Sequence, residues 1–515
     1  MIIIMGENMK KTVFIKNAAI LTASSLVLRF AGIIFKVWLA AKIGSEGIGL
    51  YQLVFSVYMF AATFATSGIC TAVTRMTSEE LVVGNKAGIK RILQRCIQLS
   101  LVIAAFTILV LFFGADFIAA NILHDTRAVL SLKILSFSLP FMGICSCIKG
   151  YFMARRKAAP SSSSQLLEQV VRIVVIMLVI SRYENLELDF ACAAVFLGDT
   201  LAEGASCLYV YIRYRIDFKK LKFDSTATRK PYKLLPAISH IALPISAGRY
   251  LNSLLRMIEN ILVPICLSSS ALGGNGISLF GMIKGMALPI LFFPSTLLSA
   301  LSTLLLPEMS EAAVRGRKAV VQSISYRIIK ITSIISIIFS ALFLVGGMQF
   351  GRLIYSSEDV GFLLQALSPI VPFMYLDAIC DGILKGLDQQ KFTFRTSVSD
   401  SAIRIVLVLL FLKRCGIYGF IGIMYFSNFL TGILNVRRLV KVSGLKLNLT
   451  HTIFLPMLGA FTVCLGVNTL LKLLFSMSDL FFVLILCVVC ITLYLIYLFA
   501  LGIIDRDDIS FIRQK

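Results

Sequence analysis

Leu132–Met142 reads LKILSFSLPFM and Leu364–Met374 reads LQALSPIVPFM, with Pro140 answering Pro372 at an offset of 232 residues. The same offset carries VVRIVVIMLV, around Arg172, onto AIRIVLVLL, around Arg404, and Lys149-Gly150 falls near Lys385-Gly386. Upstream, GIGLY at Gly47–Tyr51 followed by MTSEE echoes GISLF at Gly276–Phe280 followed by EMSEA. A chain that repeats at this distance is built from two equivalent lobes.

The residues between these matches are overwhelmingly apolar. With 58% hydrophobic residues, 15% charged and a mean hydropathy of +0.88, the 515-residue chain has too little polar surface for a water-soluble fold. Apolar runs predict helices near 13–38, 48–74, 96–116, 129–151, 163–181, 190–212, 235–267, 276–306, 319–348, 361–384, 396–412, 417–436, 451–471 and 481–503. The expectation is an all-α polytopic membrane protein of about fourteen transmembrane helices. It comprises an N-lobe (1–212), a basic cytoplasmic linker (213–233), a C-lobe (234–441) and two further helices with a tail (442–515). Six helices separate the repeat equivalents, so both six-helix lobes enter the membrane in the same direction. The opening run to Met9 is too brief for a signal-peptide core.

Alternate loops test that count, because basic residues are retained in the cytoplasm. One set, including Lys10, Arg75–Arg95, Arg155–Lys157, Arg213–Lys233, Arg437–Lys446 and the C-terminus, holds 31 Lys and Arg; the opposite set holds seven. Both termini are expected to be cytoplasmic. The net charge of +23 follows from these loops, so anionic membrane lipid is the expected partner and nucleic acid is not. The twelve cysteines lie mostly in apolar segments, and the Cys487/Cys490 pair in the last helix reads as packing. His124, His240 and His451 are scattered, and no metal site or cofactor is expected.

Ionisable groups inside spanning helices are expensive and normally face a partner or water. Arg29 and Lys36 lie in the first helix, Arg249, Arg256 and Glu259 in the seventh, and Lys284 in the eighth. Such cations would attract a lipid pyrophosphate, arginine offering bidentate donors to its oxygens. Lys36 and Arg249 have the alternative of snorkelling to the interfaces, and Arg256 with Glu259 reads either as a local ion pair or as a gate opened by substrate phosphate. Glu168/Arg172 and Asp400/Arg404, spaced i,i+4 in equivalent helices, read as structural pairs. The like-charged Asp199/Glu203 and Asp377/Asp381 are candidates for ion coupling, through a shared proton or a bound cation. Pro244, Pro264, Pro289, Pro294 and Pro307 permit bends in the seventh and eighth helices.

No Walker sequence, nucleophile elbow or exposed carboxylate pair occurs, and SSSALGGNG at 268–276 reads as a loop. Transport driven by ATP hydrolysis in this chain is therefore excluded. Energy is left to a Na⁺ or H⁺ gradient, the membrane potential or consumption of product.

The stretch SSLVLRFAGIIFKVWLAAKIGSEGIGLYQL (Ser24–Leu53), with ALPILFFPSTLLSALSTLLLPEMSEA (Ala287–Ala312), resembles the stage V sporulation protein B group of polysaccharide biosynthesis proteins, within the superfamily of MurJ, Wzx and MATE exporters. The resemblance implies a V of two six-helix lobes around a central cavity, alternating access, and a lipid-linked anionic saccharide such as lipid II or another undecaprenyl-linked glycan. It further implies that cationic residues of helices 1, 2 and 8 line the cavity. Arg29, Lys36 and Lys284 match by position, whereas helix 2 presents Gln52 in place of a basic residue. The group's link to spore cortex peptidoglycan implies an endospore-forming source and cell-wall synthesis enzymes as partners. The last two helices resemble those forming a lipid-tail groove. A MATE-type antiporter is the rival within the fold, and a non-transporting membrane scaffold the rival outside it.

Overall fold

The computed structural model describes residues 2–182, 187–221, 234–270, 274–474 and 478–504. Contacts divide the chain into two compact units, Met1–Ile265 and Cys266–Lys515, and no strand occurs among the described residues. The first unit contains α1 (Ile2–Thr66), α2 (Ile69–Val83), α3 (Lys86–Phe113), α4 (Ala128–Ser136), α5 (Leu139–Ala154), α6 (Ala159–Arg182), α7 (Leu188–Lys219) and most of α8 (Leu234–Ser268). The second contains α9 (Gly276–Phe292), α10 (Ser295–Val314), α11 (Lys318–Tyr355), α12 (Glu358–Leu367), α13 (Val371–Gly386), α14 (Gln390–Leu407), α15 (Lys413–Ser443), α16 (Leu455–Leu474) and α17 (Asp479–Ala500).

Side-chain caps set several starts. Asn85 accepts from Gly88 N–H at 2.9 Å at the head of α3, and Ser357 accepts from Val360 N–H at 3.3 Å before α12, whose first turn carries Glu358 and Asp359 against the helix dipole. The outward faces are apolar: Phe106 is 69% exposed, Leu178 67% and Leu473 76%. Such surface is stable only against hydrocarbon. Within the second unit α11 is the central helix. Its Ile334, Ile337, Ala341 and Val345 pack with Ala460 and Cys464 of α16 and with Phe482, Leu486 and Tyr494 of α17.

The internal repeat is visible in three-dimensional detail. The motif that announces it marks a break in both units. α4 and α5 meet at 42°, and the equivalent α12 and α13 are separated by a 3₁₀ turn at Ser368–Ile370. At each break a serine hydroxyl closes the last turn, Ser136 Oγ donating to Lys133 O (2.7 Å) and Ser368 Oγ to Gln365 O (2.8 Å). Ion pairs Arg172–Glu168 (3.0 Å) and Arg404–Asp400 (3.2 Å) also match at the same offset.

α8 clusters with the first unit, although the sequence places the junction in the basic segment 213–233, of which 222–233 lies outside the described residues. The cause is Gly68, between α1 and α2. Its φ is +75°, and a Cβ there would stand 2.4 Å from Ser246 Oγ and 2.5 Å from Ala242 O. Ser246 Oγ donates to Ser67 O (3.0 Å), Tyr250 stacks on Phe64 with centroids 4.4 Å apart, and the hydroxyls of Thr63 and Ser253 meet at 3.1 Å.

All fourteen expected segments are helical, but nine described helices are long and apolar enough to cross a membrane, or ten with α4 and α5 as one bent span. The difference arises locally: segment 13–38 and most of 48–74 fall within α1, which is broken at Gly44 (φ +71°) and is not one of the nine. The 276–306 segment is interrupted by a π turn at Gly281–Ala287 and by the gap between Phe292 and Ser295, while the 396–412 and 417–436 segments run together across Gly416, whose φ/ψ is non-helical.

Candidate functional site

In the first unit, the cations expected in mid-membrane form two stripes. Arg29 and Lys36 lie seven residues apart on one face of α1, with Gly32 between them. That face meets α6: a Cβ on Gly32 would lie 3.9 Å from Gln169 Nε2. Arg249 and Arg256, also seven apart, form a stripe beside the α8 face that packs on α1. Arg29, Arg249 and Arg256 are exposed, Lys36 and Gln52 half-buried, and Glu259 only 3% exposed. Exposed guanidinium groups on helices this apolar need water or an anion beside them. Lys284, in the second unit, is the one half-buried side chain of the otherwise buried π turn Gly281–Ala287.

Gln169 leads from the α1 stripe into a charged network. Arg172 Nη1 donates to Gln169 Oε1 (3.0 Å) and Nη2 to Glu168 Oε1 (3.0 Å). Its Nε lies 2.6 Å from Asp199 Oδ1 on α7, an ion pair not aligned as a hydrogen bond. One turn further along α7, Glu203 stands in the field of Glu168, Arg172, Asp199 and Lys149 of α5. Asp199 and Glu203 therefore do not face each other alone, because Arg172 of α6 takes Asp199. Beside the network, Tyr51 stacks on Phe196 at 5.0 Å, and Tyr58 Oη and Ser138 Oγ share a 2.6 Å hydrogen bond.

In the second unit Asp377, Asp381 and Asp400 each have a partner of their own. Asp377 accepts from Asn435 Nδ2 at 2.7 Å, and Asp381 pairs with Lys385 at 2.5 Å. Asp400 accepts from Ser427 Oγ at 2.6 Å besides its pair with Arg404. Among the described residues no group of three or more His, Cys, Asp or Glu side chains is arranged to hold a metal ion.

Two constellations escape a reading of the sequence. Asp217, near the end of α7, accepts from Tyr151 Oη (2.8 Å), Arg155 Nε (3.2 Å) and Lys157 Nζ, while Lys86 Nζ donates to Leu221 O (2.7 Å) and lies over the Phe218 ring. At the other end Arg127 joins Asp125 (2.7 Å) to Glu46 (2.8 Å), and the Asp125 carboxylate raises the Arg127 guanidinium above its ordinary value. Lys149 belongs to the network and was legible only as a repeat marker. Lys330 of α11 is 7% exposed, and its only signal was a cation in the middle of an apolar run.

Two repeat-related units whose described residues form helices and no strand, with apolar outward faces, define a multi-pass membrane protein. Residues 14–313 match the model of the polysaccharide biosynthesis protein family, and the chain belongs to that family. It is 25% identical over 410 residues to stage V sporulation protein B of Bacillus subtilis (strain 168), covering 79% of each chain. To the lipid II flippase MurJ of the same organism it is 21% identical over 488 residues, covering 87% of this chain and 86% of the relative. The solved structure of the lipid II flippase MurJ in an inward closed conformation superposes with a TM-score of 0.70 at 16% identity, covering 93% of this chain and 97% of that one. A multidrug resistance MATE family transporter of the MOP superfamily, in an inward-facing conformation, has a similar fold, with a TM-score of 0.65 at 14% identity, covering 82% of this chain and 99% of that one.

Proposed function

We propose that this protein flips an undecaprenyl-pyrophosphate-linked saccharide across the cell membrane by alternating access, with lipid II or a related peptidoglycan precursor of the cell wall or spore cortex as cargo. The observation that carries the reading is the placement of exposed Arg29, Arg249 and Arg256 on apolar helices of the first unit, where a pyrophosphate supplies the missing counter-charge. Similarity to MurJ and to the stage V protein along most of the chain supports it. Both termini are cytoplasmic in this reading, as the loop charges favour. A Na⁺ or H⁺ gradient or the membrane potential supplies the energy, with Asp199, Glu203, Asp377 and Asp381 as the coupling candidates.

The test is complementation of cells depleted of their lipid II flippase, with wild type and an Arg29→Gln, Arg256→Gln, Lys284→Gln triple variant at matched membrane levels. Rescue by wild type alone supports the reading, and rescue by both removes the cationic site from it. Gln52, where the family has a basic residue, favours a second cargo, another undecaprenyl-linked polysaccharide unit. Failure of both proteins to rescue despite normal insertion points there.

A further inference from the structure

We propose that Glu203 is a proton-binding group that couples transport to the proton gradient, held on α7 between Lys149 of α5 and the Glu168–Arg172–Asp199 ion network. The transport arm rests on the flippase reading; the proton site itself does not. Within apolar helices the network sets three carboxylates, Glu168, Asp199 and Glu203, against two cations, Lys149 and Arg172. An uncompensated charge is costly there, and the excess carboxylate sheds it by taking up a proton or a small cation. Arg172 is committed to Glu168 at 3.0 Å and Asp199 at 2.6 Å. Glu203 makes no ion pair among the described residues and is the group left over.

Every neighbouring element bears on this group. The groups that share its field are Tyr58 on α1, Lys149 and Cys145 on α5, Glu168 and Arg172 on α6, and Asp199 and Cys207 on its own helix. A metal cation would have to approach past Arg172 and Lys149, both of which repel it, with one uncommitted carboxylate as reward. A proton faces no such barrier, since it converts Glu203 to a neutral carboxyl and leaves two carboxylates balanced by two cations. When the proton leaves for water, the carboxylate it leaves behind attracts the Lys149 ammonium. Proton exchange thereby alternates the attraction between α5 and α7, helices that also approach through Cys145 Sγ and Ser206 Oγ at 3.9 Å.

Infrared difference spectroscopy of the purified full chain in lipid reads the proton without a transported cargo. A protonated-carboxyl band that bleaches on alkalinisation is expected in wild type, absent from Glu203→Gln and present but displaced in Glu203→Asp. Lys149→Gln removes a cation that favours the carboxylate, so its band should persist about 1–3 pH units higher than in wild type. A band unchanged by Glu203→Gln, or a Lys149→Gln band bleaching where wild type does, overturns the assignment. In proteoliposomes with dansylated lipid II as probe, wild-type flipping should follow an imposed pH gradient and Glu203→Gln flipping should not; an equal response in both overturns the coupling role. If wild type leaves this probe unflipped, the lipid II reading fails while the band still decides the proton site.

Discussion

Arg172 compensates a buried and a half-buried carboxylate at once, and its own side chain is 26% exposed against 16% for Glu168 and 9% for Asp199. Removing it strands both acids in a dry setting, so Arg172→Ala should destabilise the protein by about 3–5 kcal/mol. Asp400, the acid beside Arg404, keeps the Ser427 hydroxyl as a donor when the guanidinium is removed, so Arg404→Ala should cost less. Thermal unfolding of both variants in detergent checks the order, and an Arg404→Ala loss equal to or larger than that of Arg172→Ala contradicts it. At the opposite end of α7, Tyr151→Phe removes one donor from the Asp217 carboxylate, worth about 1.5–3 kcal/mol for a bond to a charged group. The two cases separate what one sequence reveals from what it hides. Glu168–Arg172 was legible because i,i+4 spacing alone brings the groups together on one helix. Arg172–Asp199 and Tyr151–Asp217 were not, since each joins two helices whose mutual register no local period encodes.

Hydrophobic runs located the helices because each had to hide its backbone polar groups from lipid, which makes apolar length a direct signal. What interrupts a helix was harder to read. The LKILSFSLPFM motif announced the repeat, but not the break it marks in both units, a 42° bend in the first and a 3₁₀ turn in the second, each with a serine hydroxyl closing the preceding turn, which hydropathy does not register. Helix contact is likewise decided by small residues. On α16, a Cβ at Gly459 would lie 2.1 Å from Tyr497 Cε1 of α17, whereas at Gly466 it would meet nothing within 4 Å. Gly459→Leu should therefore wedge α17 away and destabilise by about 1–3 kcal/mol through overpacking, while Gly466→Leu, on the same helix, should be tolerated. Thermal midpoints of the two variants in one detergent decide this; equal losses would mean that α16 and α17 do not pack as described.

At the scale of the whole molecule, the loop charges predict an orientation and the contacts divide the chain. Cys415 is the exposed member of the twelve cysteines and adjoins Lys413 and Arg414, in the loop set expected outside the cell. A membrane-impermeant maleimide should label it in intact cells, and labelling only after permeabilisation would invert the topology. The division makes a sharper demand. The basic segment 213–233 is the longest connection and reads as the natural place to separate halves, yet α8 beyond it is bound to the first unit through Gly68, Ser246, Tyr250 and Ser253. A fragment ending at residue 226 leaves the Ser67 carbonyl, the Phe64 ring and the Gly68 backbone without those partners, in a membrane where a stranded carbonyl is costly. A fragment ending at residue 270 keeps them. Expressed alone, residues 1–270 should accumulate in the membrane as a protease-resistant species and residues 1–226 should be degraded. Equal resistance would show that α8 contributes little to the first unit, and greater resistance of the shorter fragment would move the boundary back to the basic segment.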